Sequence, residues 1–173
     1  MEKIKEHLKN NFAVYSVILA CIIVLLIALK ITSKPKLETV DTSMFEVVTI
    51  KEALDLFESE EPKLLVMSVE TCTATISYTP YLQIAQAKHG YKTYYLDLNT
   101  IDTKSEDFKL LREKLDFEYN FRGTIGKFSE FIENTPSTVI IKNKKQVFGY
   151  IGSIDTNTLS TYVKLYGVGK WKE

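Results

Sequence analysis

Hydrophobic residues are concentrated near the start of the chain, in an uncharged segment at residues 12–29, FAVYSVILACIIVLLIAL. In a helix these 18 residues extend about 27 Å at about 1.5 Å per residue, and a bilayer hydrocarbon core is about 30 Å thick. The segment is therefore predicted to be a transmembrane helix after a short tail at residues 1–11. Residues 30–44 are polar, contain Pro35 and have no sustained apolar period, which predicts a linker.

Two other interpretations of the apolar segment fit the sequence less well. A cleaved secretory signal would end at small residues before a cleavage point, whereas Lys30-Ile-Thr-Ser-Lys34 follows here. A lipoprotein signal would end at Cys21, but eight further apolar residues follow that cysteine. The lysines on the two sides of the segment balance, so they leave the orientation open. Because a short N-terminal tail is commonly left in the cytoplasm, we expect a single-pass protein of the cell membrane with an extracytoplasmic domain.

The remaining residues, 45–173, are enough for one domain with its own core. Phe45–Ile50 is β-branched and predicts a strand, and Thr49 and Glu52 form a possible capping box for a following helix. Lys63–Val69, KLLVMSV, is an almost continuous apolar run, which is typical of a central strand covered on both faces.

The second half of the domain continues the alternation of helices and strands. A helix is predicted to end at Gly90, and the tyrosine-rich residues 91–98 predict the next strand. Residues 99–134 are charged and predict one clear helix and one weaker helical cluster around 128–132. A hairpin at 137–151 and a last helix ending at Gly167 complete the order β-α-β-α-β-α-β-β-α, an α/β sheet with helices on both faces.

Charge and cysteine content exclude several classes of function. Lys plus Arg and Asp plus Glu are both 22, so there is no excess of positive charge for nucleic acid. The two cysteines, Cys21 and Cys72, lie far apart and cannot form a disulfide framework. No ligand pair with metal spacing is present, and no cofactor is expected.

Two prolines and the lone cysteine of the domain carry a resemblance to the thioredoxin fold. Cys72 lies at the start of a predicted helix that follows a strand, and Pro80 lies within that helix, eight positions after Cys72. The segment from Thr135-Pro136 to Gly152 looks like the family's cis-proline, strand, turn and strand. The resemblance covers about residues 45–167, and it implies a groove beside Pro136 that pairs with an extended peptide. With its anchor and charged insertion, the chain looks like the membrane-anchored accessory proteins of bacteriocin transport in Gram-positive bacteria.

The active-site turn departs from the family pattern. It reads Cys72-Thr-Ala-Thr75, so Thr75 occupies the position of the resolving cysteine, and Val66 replaces the usual buried acid. The resemblance makes Cys72 the candidate nucleophile, and a thiol at a helix N-terminus has a lowered pKa. Thr75 offers a hydroxyl donor to the sulfur, whereas the carboxylate of Glu70 opposes a second negative charge.

Three functions follow from this reading. In the first, the chain is a membrane-anchored accessory or peptide-binding module that contacts its partner at Thr135 and Pro136, with little or no dithiol turnover. In the second, Cys72 is a monothiol exchanger or isomerase acting on exported peptides or envelope proteins, and another thiol resolves the mixed disulfide. In the third, the chain is a structural subunit of a membrane complex. The residues alone also allow Cys72 to be inert in a fold used only for binding.

Overall fold

The computed structural model describes residues 12–32 and 38–169, with side chains throughout these ranges except at Ala13, Tyr15 and 26–32. The chain forms two compact units, Met1–Leu37 and Glu38–Glu173. The predicted tail at 1–11 and residues 33–37 of the predicted linker lie outside the described residues, as do the last four residues of the chain.

The first unit contains helix α1, Phe12–Thr32, which extends three residues beyond the apolar segment 12–29. Its described side chains are largely exposed, including Cys21, which is a free thiol. Within the described residues, no helix is both long enough and apolar enough to cross a membrane.

The second unit alternates strands and helices over residues 38–169. In chain order its elements are β1 Glu46–Val47, α2 Ile50–Asp55, β2 Lys63–Ser68, α3 Thr73–His89, β3 Thr93–Asp97, α4 Glu106–Lys114, β4 Glu118–Phe121, β5 Thr124–Lys127, β6 Ser137–Lys142, β7 Lys145–Ile151 and α5 Thr156–Tyr166. Short 3₁₀ turns cover 56–58, 98–100 and 128–130.

The main sheet has five strands in the order β1-β3-β2-β6-β7. Strands β1, β3 and β2 are parallel, and β6 and β7 are antiparallel to the strands they join. The central position of β2, predicted from its apolar run, is confirmed, and its residues 64–68 are all buried. The central sheet is therefore mixed.

Helices cover both faces of this sheet, as the element order predicts. On one face, Leu82 of α3 and Val163 of α5 belong to the same core cluster as Val66 of β2. On the other face, Leu111 of α4 packs in a cluster with Met67 of β2. Alternate residues of β2 thus contribute to separate hydrophobic cores.

Helix boundaries follow local signals in the sequence. The predicted capping box is present, because Thr49 Oγ1 accepts the Glu52 N–H at 3.3 Å and Glu52 Oε2 accepts the Thr49 N–H at 2.7 Å. Gly90 and Gly167 end α3 and α5 with positive φ angles of 64° and 76°. Glycine suits these positions because it lacks the Cβ that strains a left-handed backbone.

The second helix predicted within 99–134 is wrong. Residues 118–127 form the β4–β5 hairpin, and the aromatic cluster after it begins with a 3₁₀ turn at Phe128–Glu130. The turn of the hairpin has positive φ at Arg122 and Gly123, which matches the twist of paired strands. Along β4, exposed residues alternate with residues that are only partly buried. The sequence of this two-stranded ribbon therefore has little hydrophobic periodicity from which strands could be predicted.

The compact unit also starts earlier than the predicted boundary at residue 45. Val40, assigned by its polar surroundings to the linker, is buried and donates its N–H to the carbonyl of Glu70 at 2.9 Å. Gln83 of α3 donates to the side chain of Asp41 at 3.1 Å. Residues 38–44 therefore pack onto the fold, whereas β1 is shorter than the predicted strand 45–50.

Candidate functional site

Cys72 is the N-cap residue of α3 and is half-buried. Its carbonyl accepts the first helical hydrogen bond, from the N–H of Ile76 at 2.9 Å. Thr135 contacts the sulfur from across the fold: its hydroxyl donates to Sγ at 3.2 Å, and the thiol faces the Thr135 carbonyl at 3.6 Å. The fold thus brings together two predicted site residues that are 63 positions apart in the chain.

The second predicted site feature, Thr135–Pro136, has a cis peptide bond. Pro136 is buried, and its carbonyl accepts the N–H of Gly152 at 2.7 Å. Over residues 38–169, by contrast, the N–H of Thr135 donates to no group, and its carbonyl accepts only the Cys72 thiol. One residue beside the thiol therefore has an unused backbone donor and a weakly used acceptor.

The pKa of Cys72 lies below its ordinary value. Partial burial raises the pKa of this thiol, but the hydrogen bond from the Thr135 hydroxyl, together with the nearby Thr75 hydroxyl and the N–H groups of Thr75 and Ala74 at the start of α3, outweighs it. These donors stabilise the thiolate more than the thiol. A helix N-terminus and nearby hydroxyl groups are an environment in which the pKa of a thiol falls without a cationic neighbour.

Thr75, at the position of the missing second cysteine, is completely buried. Its hydroxyl forms a hydrogen bond with the hydroxyl of Ser68, the last residue of β2. Sequence reasoning did not single out Ser68, although it is the only hydroxyl in the apolar run Lys63–Val69 and such an exception was the available signal. Ser68 is also completely buried, so this side chain depends on a partner within the protein.

Several tyrosines of the domain are part of the core rather than of an open surface. Tyr78 and Tyr95 are buried between the sheet and α3, and Tyr78 accepts a hydrogen bond from Thr138 Oγ1 at 3.3 Å. Burial raises the pKa of both phenols, so they are neutral at physiological pH. Within residues 12–32 and 38–169, no three His, Cys, Asp or Glu side chains are grouped as a metal site.

Replacement of Thr135 by valine is expected to raise the pKa of Cys72, because the replacement keeps the side-chain shape and removes the hydroxyl donor to Sγ. In a Cys21→Ala chain, the thiolate fraction at pH 7 should fall by about threefold to tenfold, which corresponds to about 0.7–1.4 kcal/mol, the net effect of one ordinary hydrogen bond. The rate of iodoacetamide alkylation, followed from about pH 5 to about pH 10, measures this change. That range extends about two pH units to either side of the expected thiol midpoint. An unchanged midpoint would mean that the Thr135 contact does not stabilise the thiolate.

Comparison with known proteins gives structural likeness only. No family model and no curated protein matches the chain. A thioredoxin from Plasmodium falciparum is 15% identical over 70% of this chain and 98% of its own length, with a TM-score of 0.49. A mutant thioredoxin from Halobacterium salinarum is 12% identical over 74% and 95%, also at 0.49. A chloroplastic thioredoxin z is 12% identical over 71% and 94%, at 0.49.

The fold itself is established by the chain's own architecture. A central strand leads into a helix whose N-cap is Cys72, two parallel crossovers build one half of the sheet, and a cis-proline precedes the antiparallel hairpin of the other half. These features, with helices on both faces of a mixed sheet, make this a thioredoxin-like fold.

Proposed function

We propose that this protein is a membrane-anchored thioredoxin-like accessory module that binds an extended peptide segment beside Thr135–Pro136. The observation that carries the proposal is the free backbone at Thr135, whose N–H has no acceptor within residues 38–169. A peptide in extended conformation donates and accepts at alternate residues, so it satisfies both groups of Thr135 at once.

The position of Thr135 suits such pairing. It precedes β6 and is half-buried, so a bound segment is partly shielded from water where it pairs. The next residue, Pro136, has no N–H and leaves nothing unsatisfied behind the groove. The peptide chain would pass over Cys72, which lies within hydrogen-bond distance of Thr135.

The membrane anchor rests on the sequence and on the surface of α1. Residues 12–29 have no charge, and the large apolar side chains described on α1 are all largely exposed, from Phe12 to Leu25. A helix that is apolar on every side is stabilised by an apolar environment, which a bilayer supplies. The proposal therefore rests on the uncharged sequence 12–29 and not on a membrane-spanning helix, since none is found among the described residues. The resemblance supports an exported peptide or an envelope protein as the partner, and an extracytoplasmic position for the domain.

A second function, monothiol exchange through Cys72, is favoured by the lowered pKa of that thiol. The thiolate would attack one sulfur of a substrate disulfide, form a mixed disulfide with it and release the other sulfur as a thiolate. A thiol of the substrate or of a separate small molecule would then have to resolve the product. This chemistry and peptide binding are compatible, because the groove would deliver the substrate sulfur to Cys72.

The peptide-binding proposal predicts that Cys72 reacts faster with a peptide disulfide than with a small one. The probes are an octapeptide whose central cysteine carries a chromophoric arylthiol, the same peptide with backbone N-methyl groups, and cysteine methyl ester carrying the same arylthiol. With the full-length Cys21→Ala chain in detergent, we expect the unmodified peptide to react at least about tenfold faster, equivalent to about 1.4 kcal/mol of backbone pairing. Release of the arylthiolate measures each rate.

The N-methylated peptide serves as the matched control, because it keeps the side chains and loses the backbone donors. Equal rates for the two peptides would overturn pairing at Thr135. Binding that survives Cys72→Ser favours the module, whereas a mixed disulfide with a partner in cells favours exchange. The anchor orientation has a separate test: a membrane-impermeant thiol reagent should label Cys72 in intact cells, and labelling only after permeabilisation would reverse the proposed topology.

A further inference from the structure

The charges of the domain are distributed unevenly between the two ends of the main sheet. Strands β1, β2 and β3 are parallel, β6 is antiparallel to β2, and β7 is antiparallel to β6. The segments that leave β2, β3 and β7 and the segment that enters β6 therefore emerge at one end of the sheet. This end holds Cys72 and Thr135. We call it the site end, and it consists of residues 69–72, 97–105, 132–136 and 152–155.

The site end is acidic, although the whole chain carries equal numbers of acidic and basic residues. Its charged residues are one lysine, Lys104, and five carboxylates: Glu70, Asp97, Asp102, Glu133 and Asp155. At the opposite end, seven lysines stand against three glutamates, over residues 58–63, 88–92, 142–145 and 164–169. The domain therefore has a negative end, which contains the groove, and a positive end, which does not.

Two of the carboxylates lie on either side of the groove. Glu70 precedes Cys72 by two residues, and Glu133 precedes Thr135 by two residues. Two residues of chain span at most about 7 Å, and the Thr135 hydroxyl is 3.2 Å from the Cys72 sulfur. Glu70 and Glu133 are both exposed. A segment that pairs with Thr135 and passes over Cys72 therefore runs close to both carboxylates.

Two further carboxylates approach the same turn from other elements. Ser153 Oγ donates to the carbonyl of Ala74 in the first turn of α3 at 3.3 Å, and Asp155 follows two residues later as the N-cap of α5. Asp97 is the last residue of β3 and pairs in register with Ser68 at the end of β2. Four separate segments thus bring negative charge to the rim of the groove.

The charges converge on one buried group beside the groove. Tyr95 is 2% exposed, and its hydroxyl makes no hydrogen bond within residues 38–169. Burial raises the pKa of this phenol, and the negative charges of Asp97, Glu70 and Cys72 raise it further. Charges from β3, from the loop after β2 and from the start of α3 therefore act at the same point.

Lysines of the domain do not neutralise this end. Within residues 38–169, the ion pairs join Lys63 to Glu61, Lys92 to Glu46, Lys109 to Glu106 and Lys114 to Glu58, and none includes a carboxylate of the site end. Like charges that lack counterions produce a negative potential over the surface they share. Such a surface attracts cationic partners and repels acidic ones.

We propose that the segment bound at Thr135 belongs to a cationic peptide, in which lysine or arginine side chains flank the residue that pairs with Thr135. The proposal rests on the peptide binding proposed above and adds the charge of the partner. Side chains of an extended peptide alternate in direction, so basic residues near the paired position come within reach of Glu70 and Glu133. The backbone of Thr135 provides the pairing, and the carboxylates select the partner by charge.

The test compares three cysteine-free octapeptides that differ only in the two residues flanking the centre, which are lysine, glutamine or glutamate. Each peptide carries the same uncharged fluorophore, and fluorescence anisotropy with the full-length chain in non-ionic detergent measures Kd. The lysine peptide is expected to bind at least about fivefold more tightly than the glutamine peptide, the effect of two exposed ion pairs. The glutamate peptide should bind more weakly than both. At about 1 M salt, where the screening length is about 3 Å, these differences should largely disappear.

Paired substitutions locate the effect. Glu70→Gln combined with Glu133→Gln should remove most of the preference for lysine over glutamine. Glu60→Gln combined with Glu113→Gln is the matched control, because it also removes two exposed carboxylates but none from the site end. Glu60 lies at the opposite end, where its carbonyl accepts the N–H of Asn143 at 3.3 Å, and Glu113 is in the last turn of α4. This control should keep the native preference.

The outcomes separate this inference from the peptide-binding proposal. Equal, measurable affinities for the three peptides would overturn the cationic partner and leave pairing at Thr135 standing. A lysine preference that persists in full in the Glu70→Gln and Glu133→Gln double variant would also overturn it. If backbone N-methylation leaves the affinity of the lysine peptide unchanged, pairing at Thr135 is wrong while the charge selection holds. Absence of binding by all three peptides would overturn both.

Discussion

Replacing Phe128 by alanine is expected to lower the free energy of unfolding of the domain by about 3–5 kcal/mol, the usual cost of emptying a buried aromatic site. Phe128 follows the β4–β5 hairpin and is completely buried. Its ring meets that of Tyr119 edge-on, with centroids 5.2 Å apart. The Tyr119 hydroxyl in turn accepts the N–H of Ile151 in β7 at 3.1 Å, so Phe128 and Tyr119 together anchor the insertion to the main sheet.

Urea unfolding of the full chain in detergent, followed by near-ultraviolet circular dichroism of the tyrosine-rich core, measures the loss. Ile125→Ala is the control from the same hairpin, because Ile125 is 69% exposed and its truncation should change stability by less than about 0.5 kcal/mol. Comparable losses for the two variants would show that Phe128 does not anchor the insertion.

Gly149 of β7 gives a second test of the same contact. A Cβ added there would lie 2.5 Å from Nε2 of Gln146, the end of a flexible side chain that can move away, and 2.7 Å from the ring carbons of Phe128, closer than carbon atoms can pack. Gly149→Ala alone should therefore cost about 1–3 kcal/mol, as overpacking does. In a Phe128→Ala background the added methyl enters vacated space, so that cost should largely disappear. Additive losses in the double variant would contradict direct packing of residues 128 and 149.

The sequence predicted those elements whose hydrophobic or capping signals lie within a few neighbouring residues. β2 was predicted because its apolar run is local and continuous, and the start of α2 because a capping box fits within four residues. The hairpin at 118–127 was missed because a ribbon that is open to solvent on one side lacks a strong hydrophobic pattern. Val40 was missed because a single apolar residue among polar ones gives no periodicity, although it packs in the core.

The candidate site shows the same division between local and long-range information. Cys72 and Pro136 were identified from motif spacing and from the resemblance. The contact between Thr135 and the sulfur follows only from the packing of β6 beside β2, which places residues 63 positions apart within 3.6 Å. The bond between Ser68 and Thr75 also depends on how α3 lies over β2, and no periodicity in the sequence encodes that orientation.

Thr75→Cys is expected to have the largest effect on chemistry, because it supplies the thiol whose absence defines this site. In the native chain, a mixed disulfide between Cys72 and glutathione should persist until an external thiol attacks it. Cys72 is the N-cap of α3 and Thr75 lies three residues later in its first turn, the spacing at which side chains on a helix are neighbours, so an introduced thiol would start beside the Cys72 sulfur. As a thiolate it would attack the Cys72 sulfur, form an intrachain disulfide and release glutathione as its thiolate.

Because the attacking and attacked sulfurs belong to one turn, their effective concentration far exceeds that of millimolar external thiols. The mixed disulfide should therefore decay at least about 100-fold faster in Thr75→Cys than in the native chain, a conservative fraction of the intramolecular advantage. Intact-protein mass after glutathionylation, in chains that also carry Cys21→Ala, follows the loss of the adduct. Thr75→Ser is the control, since it retains a hydroxyl, adds no thiol and should keep the adduct.

A persistent adduct in Thr75→Cys would show that the buried position 75 cannot present a thiol to Cys72, and the turn would then be closed to dithiol chemistry by its packing as well as by its sequence. Rapid decay would show the opposite. A single hydroxyl-for-thiol replacement would then separate this protein from a dithiol enzyme, while the free backbone of Thr135 is present in both forms. Binding at the groove and turnover at the thiol would thus be separable functions of one fold, and the native chain would retain the first without the second.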